Sequence, residues 1–115
     1  MKIIARDTDT RTALLDSAEH AVRSRGYDGF SFADLATDIG IRKASIHYHF
    51  PTKANLGLEL MQRYNQTLGT WMDDTNQRHV TAAKRLRAQI RRYRDALSGG
   101  SELCLCVAVA ISPGR

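Results

Sequence analysis

Residues 31–53 read SFADLATDIGIRKASIHYHFPTK, and this stretch decides the fold. Ser31 is placed to start a short helix, and Gly40 to end it, because a tight turn between helices favours a residue that tolerates positive φ. A second short helix is predicted from Lys43 to Phe50. It ends before Pro51, which cannot continue a helix. Two short helices joined by a tight glycine turn predict a helix-turn-helix unit.

The outer side of the second short helix carries groups suited to contact with nucleic acid. Ile46 and Phe50 lie four residues apart, so both are predicted to face the core. No acidic residue lies between Asp38 and Glu59. An outer face that is small, polar and basic suits entry into a DNA major groove, and the alternative is an ordinary solvated surface. The candidate contact residues on and beside this helix are Arg42, Lys43, Ala44, Ser45, His47 and Tyr48.

Two helix starts next to this face are also informative. Ser31 followed by Asp34 resembles a capping box, in which each residue accepts a hydrogen bond from the other's backbone. Thr52 is placed to cap the next helix, and Lys53 lies in its first turn. Because backbone N–H groups at a helix start attract phosphate, Lys53 is a candidate to strengthen a phosphate site there.

The flanking sequence has the three-four apolar spacing of helices. A first helix is predicted over Thr10–Arg25 with Thr10 as its N-cap, and a long fourth helix over Lys53–Thr75, with a length of roughly 35 Å. A fifth is predicted over Thr81–Leu97, with its basic residues outward. The inward-facing positions predicted for the fifth helix are Ala83, Leu86, Ile90, Tyr93 and Leu97.

Composition supports an all-α fold but leaves the choice of partner open. The chain of 115 residues is rich in helix-forming residues and carries a net charge of +5. Residues 1–57 hold eight basic and seven acidic side chains, whereas residues 58–115 hold nine and five. The positive excess therefore lies mainly outside the helix-turn-helix, and the DNA prediction rests on the local acid-free stretch.

Other function classes find little support in the residues. Cys104 and Cys106 are too close for an ordinary disulfide and too few for a zinc site, which favours a reducing cytoplasm. His47 and His49 lie two residues apart, so on a helix they point to different faces. No catalytic, metal or cofactor site is predicted, and an enzyme is not expected. The most apolar run is far shorter than the ~20 residues of a membrane span.

The span Leu14–Leu60 resembles the N-terminal domain of the TetR/AcrR family of transcriptional repressors. The resemblance rests on residues that occur in order and at the family's spacing: Ala18, Gly26, Tyr27, Ser31, Leu35, Ala36, Gly40, Ile41, Lys43, Ala44, Ser45, Ile46, Tyr48, His49, Phe50, Lys53 and Leu56.

The resemblance implies roles for these residues. Arg42, Lys43, Ala44 and Tyr48, with His47 beside them, would face bases or nearby phosphates of double-stranded operator DNA. Ser31, Ser45, His47 and Lys53 would mainly contact phosphates. Arg42 and His47 depart from the family pattern. The family usually has Ser or Thr at the position of Arg42 and Tyr at the position of His47. Arg42 gives up a helix cap but could contact guanine.

The resemblance also implies an α-helical homodimer with a helix-turn-helix domain at 1–52 and a helical domain that binds a small-molecule effector. Family members carry further helices after the fifth, so residues 53–115 are expected to form a partial regulatory and dimerisation domain. From Val107 the family pattern is lost, which suggests a truncated or frame-shifted repressor. The alternative function is an interaction fragment that does not bind an operator.

Overall fold

A computed structural model describes residues 7–97 and 104–110. Every regular element in these two ranges is helical, which confirms the all-α fold class. A short 3-10 turn over Tyr27–Gly29 joins the first two α-helices. The α-helices in chain order are α1 Asp7–Arg25, α2 Phe32–Ile39, α3 Lys43–His49, α4 Lys53–Arg78, α5 Ala82–Ala96 and α6 Leu105–Ala110.

One hydrophobic core holds α1, α2, α3 and the first half of α4 together, and α6 joins it against α1. Each helix contributes residues from its inner side, as apolar three-four spacing requires. Leu105 and Ala108 bring α6 into the same cluster. The fully or almost fully buried residues at its centre are Leu14, Ala18, Val22, Leu35, Ile46, Phe50, Leu56 and Leu60.

Ion pairs add to the packing of α4 on α1. Arg63 of α4 donates to the carboxylates of Asp16 and Glu19 at 2.7 and 2.8 Å. The two acceptors lie three residues apart, so they occupy one face of α1. The orientation of α4 on α1 is therefore fixed by apolar packing and by these directional contacts.

Two predicted helix limits were wrong. α1 begins at Asp7, so Thr10 lies inside the helix and is not its N-cap. α4 continues to Arg78, three residues beyond the predicted end at Thr75. Thr75 is buried, and its carbonyl accepts a hydrogen bond from the His79 N–H, which closes the last turn. None of the described helices is long and apolar enough to cross a membrane.

The predicted inner face of α5 was also wrong. Leu86, Ile90 and Tyr93 remain 62%, 51% and 51% exposed, whereas the buried residue of this helix is Ala88. α5 packs on α4 through the Ala88 side because a small residue allows close approach of two helices. Most of the apolar stripe consequently remains exposed, although Leu86 borders a groove beside α4.

The basic residues of α5 are correspondingly not all on the outer face. The Arg92 guanidinium lies 5.2 Å from the Trp71 ring and 5.9 Å from the Tyr64 ring of α4. Arg85 donates to the backbone carbonyls of Asn76 and His79 at 3.1 and 2.8 Å. A guanidinium can stack on aromatic rings and donate several hydrogen bonds, so Arg92 faces α4, while Arg85 is exposed and bonds to the backbone at the end of α4.

Candidate nucleic-acid interface

The start of α2 has the predicted capping box. The Ser31 N–H donates to the Asp34 carboxylate at 2.8 Å, and the Asp34 N–H donates to the Ser31 hydroxyl oxygen at 3.3 Å. The pair satisfies two backbone donors that a helix start leaves without intrahelical partners. The first residue of α2 is thereby fixed, and Ser31 remains exposed to solvent.

The turn after α2 sets the direction of α3. Gly40 has φ +73°, the left-handed conformation that glycine adopts at little cost. Its N–H and that of Ile41 donate to the Ala36 carbonyl at 2.9 and 3.1 Å, which closes the end of α2. The predicted glycine turn is confirmed.

The inner side of α3 is anchored by apolar burial and by Arg11 of α1. Ile46 and Phe50 are both 0% exposed, as predicted. The Arg11 guanidinium of α1 lies 4.5 Å from the Phe50 ring centroid, donates to the His49 carbonyl at 3.1 Å and pairs with Glu59 of α4. Because Arg11 contacts α3 and α4 together, it links the end of α3 to the helices that carry it.

The outer side of α3 is open to solvent. The structure brings together six of the sequence-predicted contact residues on this helix and its N-terminal edge, all exposed: Arg42, Lys43, Ala44, Ser45, His47 and Tyr48. Tyr48 is 73% exposed, a high value for an aromatic side chain. α3 itself contains no acidic residue, and Glu59, the next carboxylate along the chain, is engaged with Arg11.

Arg42 occupies the N-cap position of α3 and makes no side-chain cap hydrogen bond. Its backbone is extended, with φ −81° and ψ 150°, as is usual at an N-cap. The guanidinium is thus exposed at the edge of α3 and is not used to satisfy the helix start. The helix gives up a cap there and gains an exposed donor group.

His47 is oriented by its neighbours although it is exposed. Its Nδ1 lies 3.2 Å from the Pro51 carbonyl oxygen, and its ring meets the Phe32 ring edge-on with centroids 4.9 Å apart. The Pro51 contact requires Nδ1 to carry the proton, which leaves Nε2 on the other side of the ring. The imidazole is therefore held by Phe32 of α2 and by Pro51, which follows α3.

Lys53 has a different environment from the other candidates. Its ammonium donates to the Phe30 carbonyl at 2.6 Å and lies 4.3 Å from the Phe30 ring and 4.7 Å from the Tyr27 ring. Partial burial lowers the pKa of Lys53 from its ordinary 10.5, and the charges of Asp28 and Asp34 oppose this. The side chain thus points towards the residue before Ser31, and its phosphate role stays a prediction.

Sequence reasoning missed Arg11 as an anchor of α3. The signal was available, because Arg11 lies three residues before Leu14 and seven before Ala18, on the apolar side of α1. A charged residue at such a position needs a partner when the face is buried. The partners belong to α3 and α4, far along the chain, so the sequence could not name them.

The arrangement defines a helix-turn-helix protein. Two short helices meet at a left-handed glycine turn, and the second presents an exposed basic face while its inner side is locked by α1 and α4. Residues 14–60 match the family described as "Bacterial regulatory proteins, tetR family". Over this part, about two-fifths of its length, the chain is similar to that family.

Curated relatives share this part of the chain. The biofilm operon icaADBC HTH-type negative transcriptional regulator IcaR of Staphylococcus aureus is 37% identical over 43 residues, which are 37% of this chain and 23% of that protein. The HTH-type transcriptional regulator TtgR of Pseudomonas putida is 32% identical over 59 residues, or 51% of this chain and 28% of that protein. The matched part spans about a quarter of each relative.

Solved structures extend the likeness beyond the helix-turn-helix. A TetR-family regulator from Agrobacterium tumefaciens superposes with a TM-score of 0.85 at 28% identity, covering 91% of this chain and 56% of that one. A TetR regulator from Legionella pneumophila superposes with a TM-score of 0.78 at 28% identity. The match covers 91% of this chain and 55% of that one. The chain thus spans just over half the length of these structural relatives.

Proposed function

We propose that this chain binds double-stranded operator DNA as a transcriptional repressor, with α3 in the major groove. The observation that carries the proposal is the outer face of α3, exposed, basic and without a carboxylate, on a helix whose inner face is fully buried. A helix held rigidly from behind keeps its contact residues in register with base edges. The named function of IcaR as a negative transcriptional regulator supports the sign of regulation.

The candidate contact residues take separate roles in this proposal. Arg42, Lys43, Ala44 and Tyr48 face bases or adjacent phosphates, and Arg42 is suited to paired hydrogen bonds with guanine. Ser31, Ser45, His47 and Lys53 contact phosphates. A phosphate contact from His47 Nε2 would need a proton on both ring nitrogens, because Nδ1 donates to the Pro51 carbonyl and phosphate oxygens only accept. Lys53 would have to leave the Phe30 carbonyl or reach phosphate from beside it.

We place the DNA-binding domain at residues 1–52 and a regulatory and dimerisation part at residues 53–115. In the proposal, the regulator works as a homodimer in the cytoplasm and responds to a small-molecule effector. A dimer contacts two half-sites about 34–36 Å apart, whereas one head contacts a single half-site. The second candidate, an interaction fragment without operator binding, is favoured by the exposed apolar stripe of α5. Sedimentation at several protein concentrations separates a dimer from a monomer.

The test is binding to duplex DNA selected from a randomised pool. Affinity for the selected duplex should fall steeply between ~50 and ~200 mM salt, because phosphate contacts release counterions. Lys43→Ala and Tyr48→Ala should each weaken binding, by about 1–3 kcal/mol if they contact bases. Lys84→Ala and Tyr93→Ala are matched controls, because both are exposed on α5 and should leave DNA affinity unchanged.

Two results would contradict the proposal. One is no duplex binding at low salt by a chain that circular dichroism shows to be folded. The other is equal loss of affinity in the α3 variants and their α5 controls, which would indicate general charge attraction and no role for α3 in the groove.

A further inference from the structure

The His47 side chain on α3 has one ring nitrogen bonded within the chain. Nδ1 lies 3.2 Å from the Pro51 carbonyl oxygen, and the residue as a whole is exposed. A carbonyl oxygen only accepts hydrogen bonds, so Nδ1 must carry a proton to bond with it. In the neutral ring the other nitrogen, Nε2, then holds a lone pair and acts as an acceptor.

The Phe32 ring of α2 helps to hold the imidazole in this orientation. The two ring centroids are 4.9 Å apart and the ring planes meet at 62°. Phe32 is buried in the hydrophobic core, so it offers the imidazole a fixed surface. Turning the ring over would place a carbon opposite the Pro51 carbonyl and lose the hydrogen bond. The fold therefore favours the neutral tautomer that has its proton on Nδ1.

A DNA phosphate cannot bond directly to this neutral tautomer. Ionised phosphate oxygens only accept hydrogen bonds, so they would meet the lone pair of Nε2. The opposite tautomer would donate from Nε2, but it would set the lone pair of Nδ1 against the Pro51 carbonyl oxygen. Only the imidazolium donates to both acceptors at once, and its bond to phosphate would be charge-assisted. A direct contact between His47 and phosphate therefore requires one extra proton on the ring.

The charges around His47 also suit an incoming phosphate. The other charged or titratable residues of α2, of α3 with its N-cap and of the first two turns of α4 are Asp34, Asp38, Arg42, Lys43, Tyr48, His49, Lys53 and Glu59. The three carboxylates each accept a hydrogen bond within the chain, from Ser31, Ser17 and Arg11 respectively. Lys43 lies four residues before His47, on the same face of α3. A phosphate would therefore bring negative charge to a helix face whose own charged residues are cations.

We propose that operator binding takes up a proton at His47, so that the affinity for DNA rises as the pH falls. The inference rests on the proposed function, because it concerns one of the phosphate contacts assigned to α3. Histidine is the side chain that ordinarily changes charge between pH 5 and pH 8. A fall in pH within this range increases the share of chains that already hold the proton, and these chains bind phosphate without having to acquire it.

The test measures binding of the complete 115-residue chain to the selected duplex between about pH 6 and about pH 8. Ionic strength is held constant, because phosphate contacts are sensitive to salt. One linked proton changes the logarithm of the association constant by up to about one unit per pH unit, so the affinity should fall at least about fivefold over this range. Calorimetry in two buffers of different ionisation enthalpy should detect the uptake of up to about one proton per chain.

Variants assign the proton to His47. His47→Gln does not titrate, so it should give a nearly flat pH profile and no proton uptake. His47→Tyr presents a neutral hydroxyl donor, so it should bind with little pH dependence and more tightly than the unaltered chain near pH 8. The matched controls are His49→Gln on α3 and His20→Gln on α1, and both should keep the pH dependence. Circular dichroism checks that each variant retains its helix content.

The possible failures of this inference and of the proposed function are distinct. Tight duplex binding with a flat pH profile would overturn the inference and leave the proposed function intact. The same follows if His47→Gln takes up as many protons as the unaltered chain, or if NMR of the imidazole nitrogens shows a neutral His47 ring in the complex. Failure of the folded, unaltered chain to bind the duplex at any pH would contradict the proposed function, and the inference with it.

Discussion

α3 and α5 carry the same kind of apolar spacing and have opposite fates. Ile46 of α3 and Phe50, its C-cap residue, are completely buried, whereas Leu86, Ile90 and Tyr93 of α5 are half exposed or more. The buried residues of α3 share one hydrophobic core with those of α1, α2 and α4, but α5 packs mainly against α4 through Ala88. The difference teaches that spacing fixes which residues share a face, while the surrounding helices fix whether that face is covered.

The sharpest test of this comparison is removal of one aromatic ring from each helix. Phe50→Ala should lower the free energy of unfolding by about 3–5 kcal/mol, because it opens a cavity in a closed core. Tyr93→Ala should change it by no more than about 0.5 kcal/mol, since the ring is 51% exposed. Urea denaturation measures both. A cost at Tyr93 close to that at Phe50 would mean that the apolar stripe of α5 is covered in solution.

The entry to α3 gives a second, smaller test. Gly40→Ala should cost about 1–2 kcal/mol, because Gly40 has φ +73° and an L side chain is strained there. Gly69 inside α4 is the matched control, since a Cβ meets no atom within 4 Å at either glycine. Gly69→Ala should stabilise the chain by about 0.5–1 kcal/mol through helix propensity. Thermal unfolding measures both variants. A change in stability of the same sign in the two variants would contradict this account.

The smallest expected effect concerns the helix caps. α5 is capped by the Thr81 hydroxyl, which accepts from the Lys84 N–H at 3.3 Å, whereas Arg42 gives α3 no side-chain cap. Arg42→Ser should therefore stabilise the chain by about 1 kcal/mol, and Thr81→Ala should cost about as much. Arg42→Ser should also weaken operator binding. If Arg42→Ser neither stabilised the chain nor weakened DNA binding, the missing helix cap would not be offset by a DNA contact of Arg42.

Much of the helix-turn-helix was predictable because its determinants are local. The capping box of Ser31 and Asp34, the turn at Gly40 and the burial of Ile46 and Phe50 depend on residues close together in the chain. The candidate contact residues were predictable for the same reason, and on α3 they are exposed as expected. Their roles on DNA remain predictions, which the duplex-binding variants test.

Apart from the limits of α1 and α4, the features that the sequence did not reveal involve contacts between distant segments. Lys53 donates to the Phe30 carbonyl, 23 residues away, and Arg11 reaches His49 and Glu59 across 38 and 48 residues. The inner side of α5 depends on Trp71 and Tyr64 of α4, because the Arg92 guanidinium lies close to both rings. Residue type alone did not indicate that an arginine would face inward while leucine and isoleucine faced out.

The sequence by itself determined the helices, the glycine turn and the composition of the α3 face, because capping, backbone preference and side-chain periodicity act over a few residues. Only the tertiary structure decided which apolar faces are closed and where Arg11, Lys53 and Arg92 direct their charges. Burial depends on which segments lie next to a helix in space, and those segments can be far away in the sequence. That is why the inner side of α3 is buried and the apolar stripe of α5 is exposed.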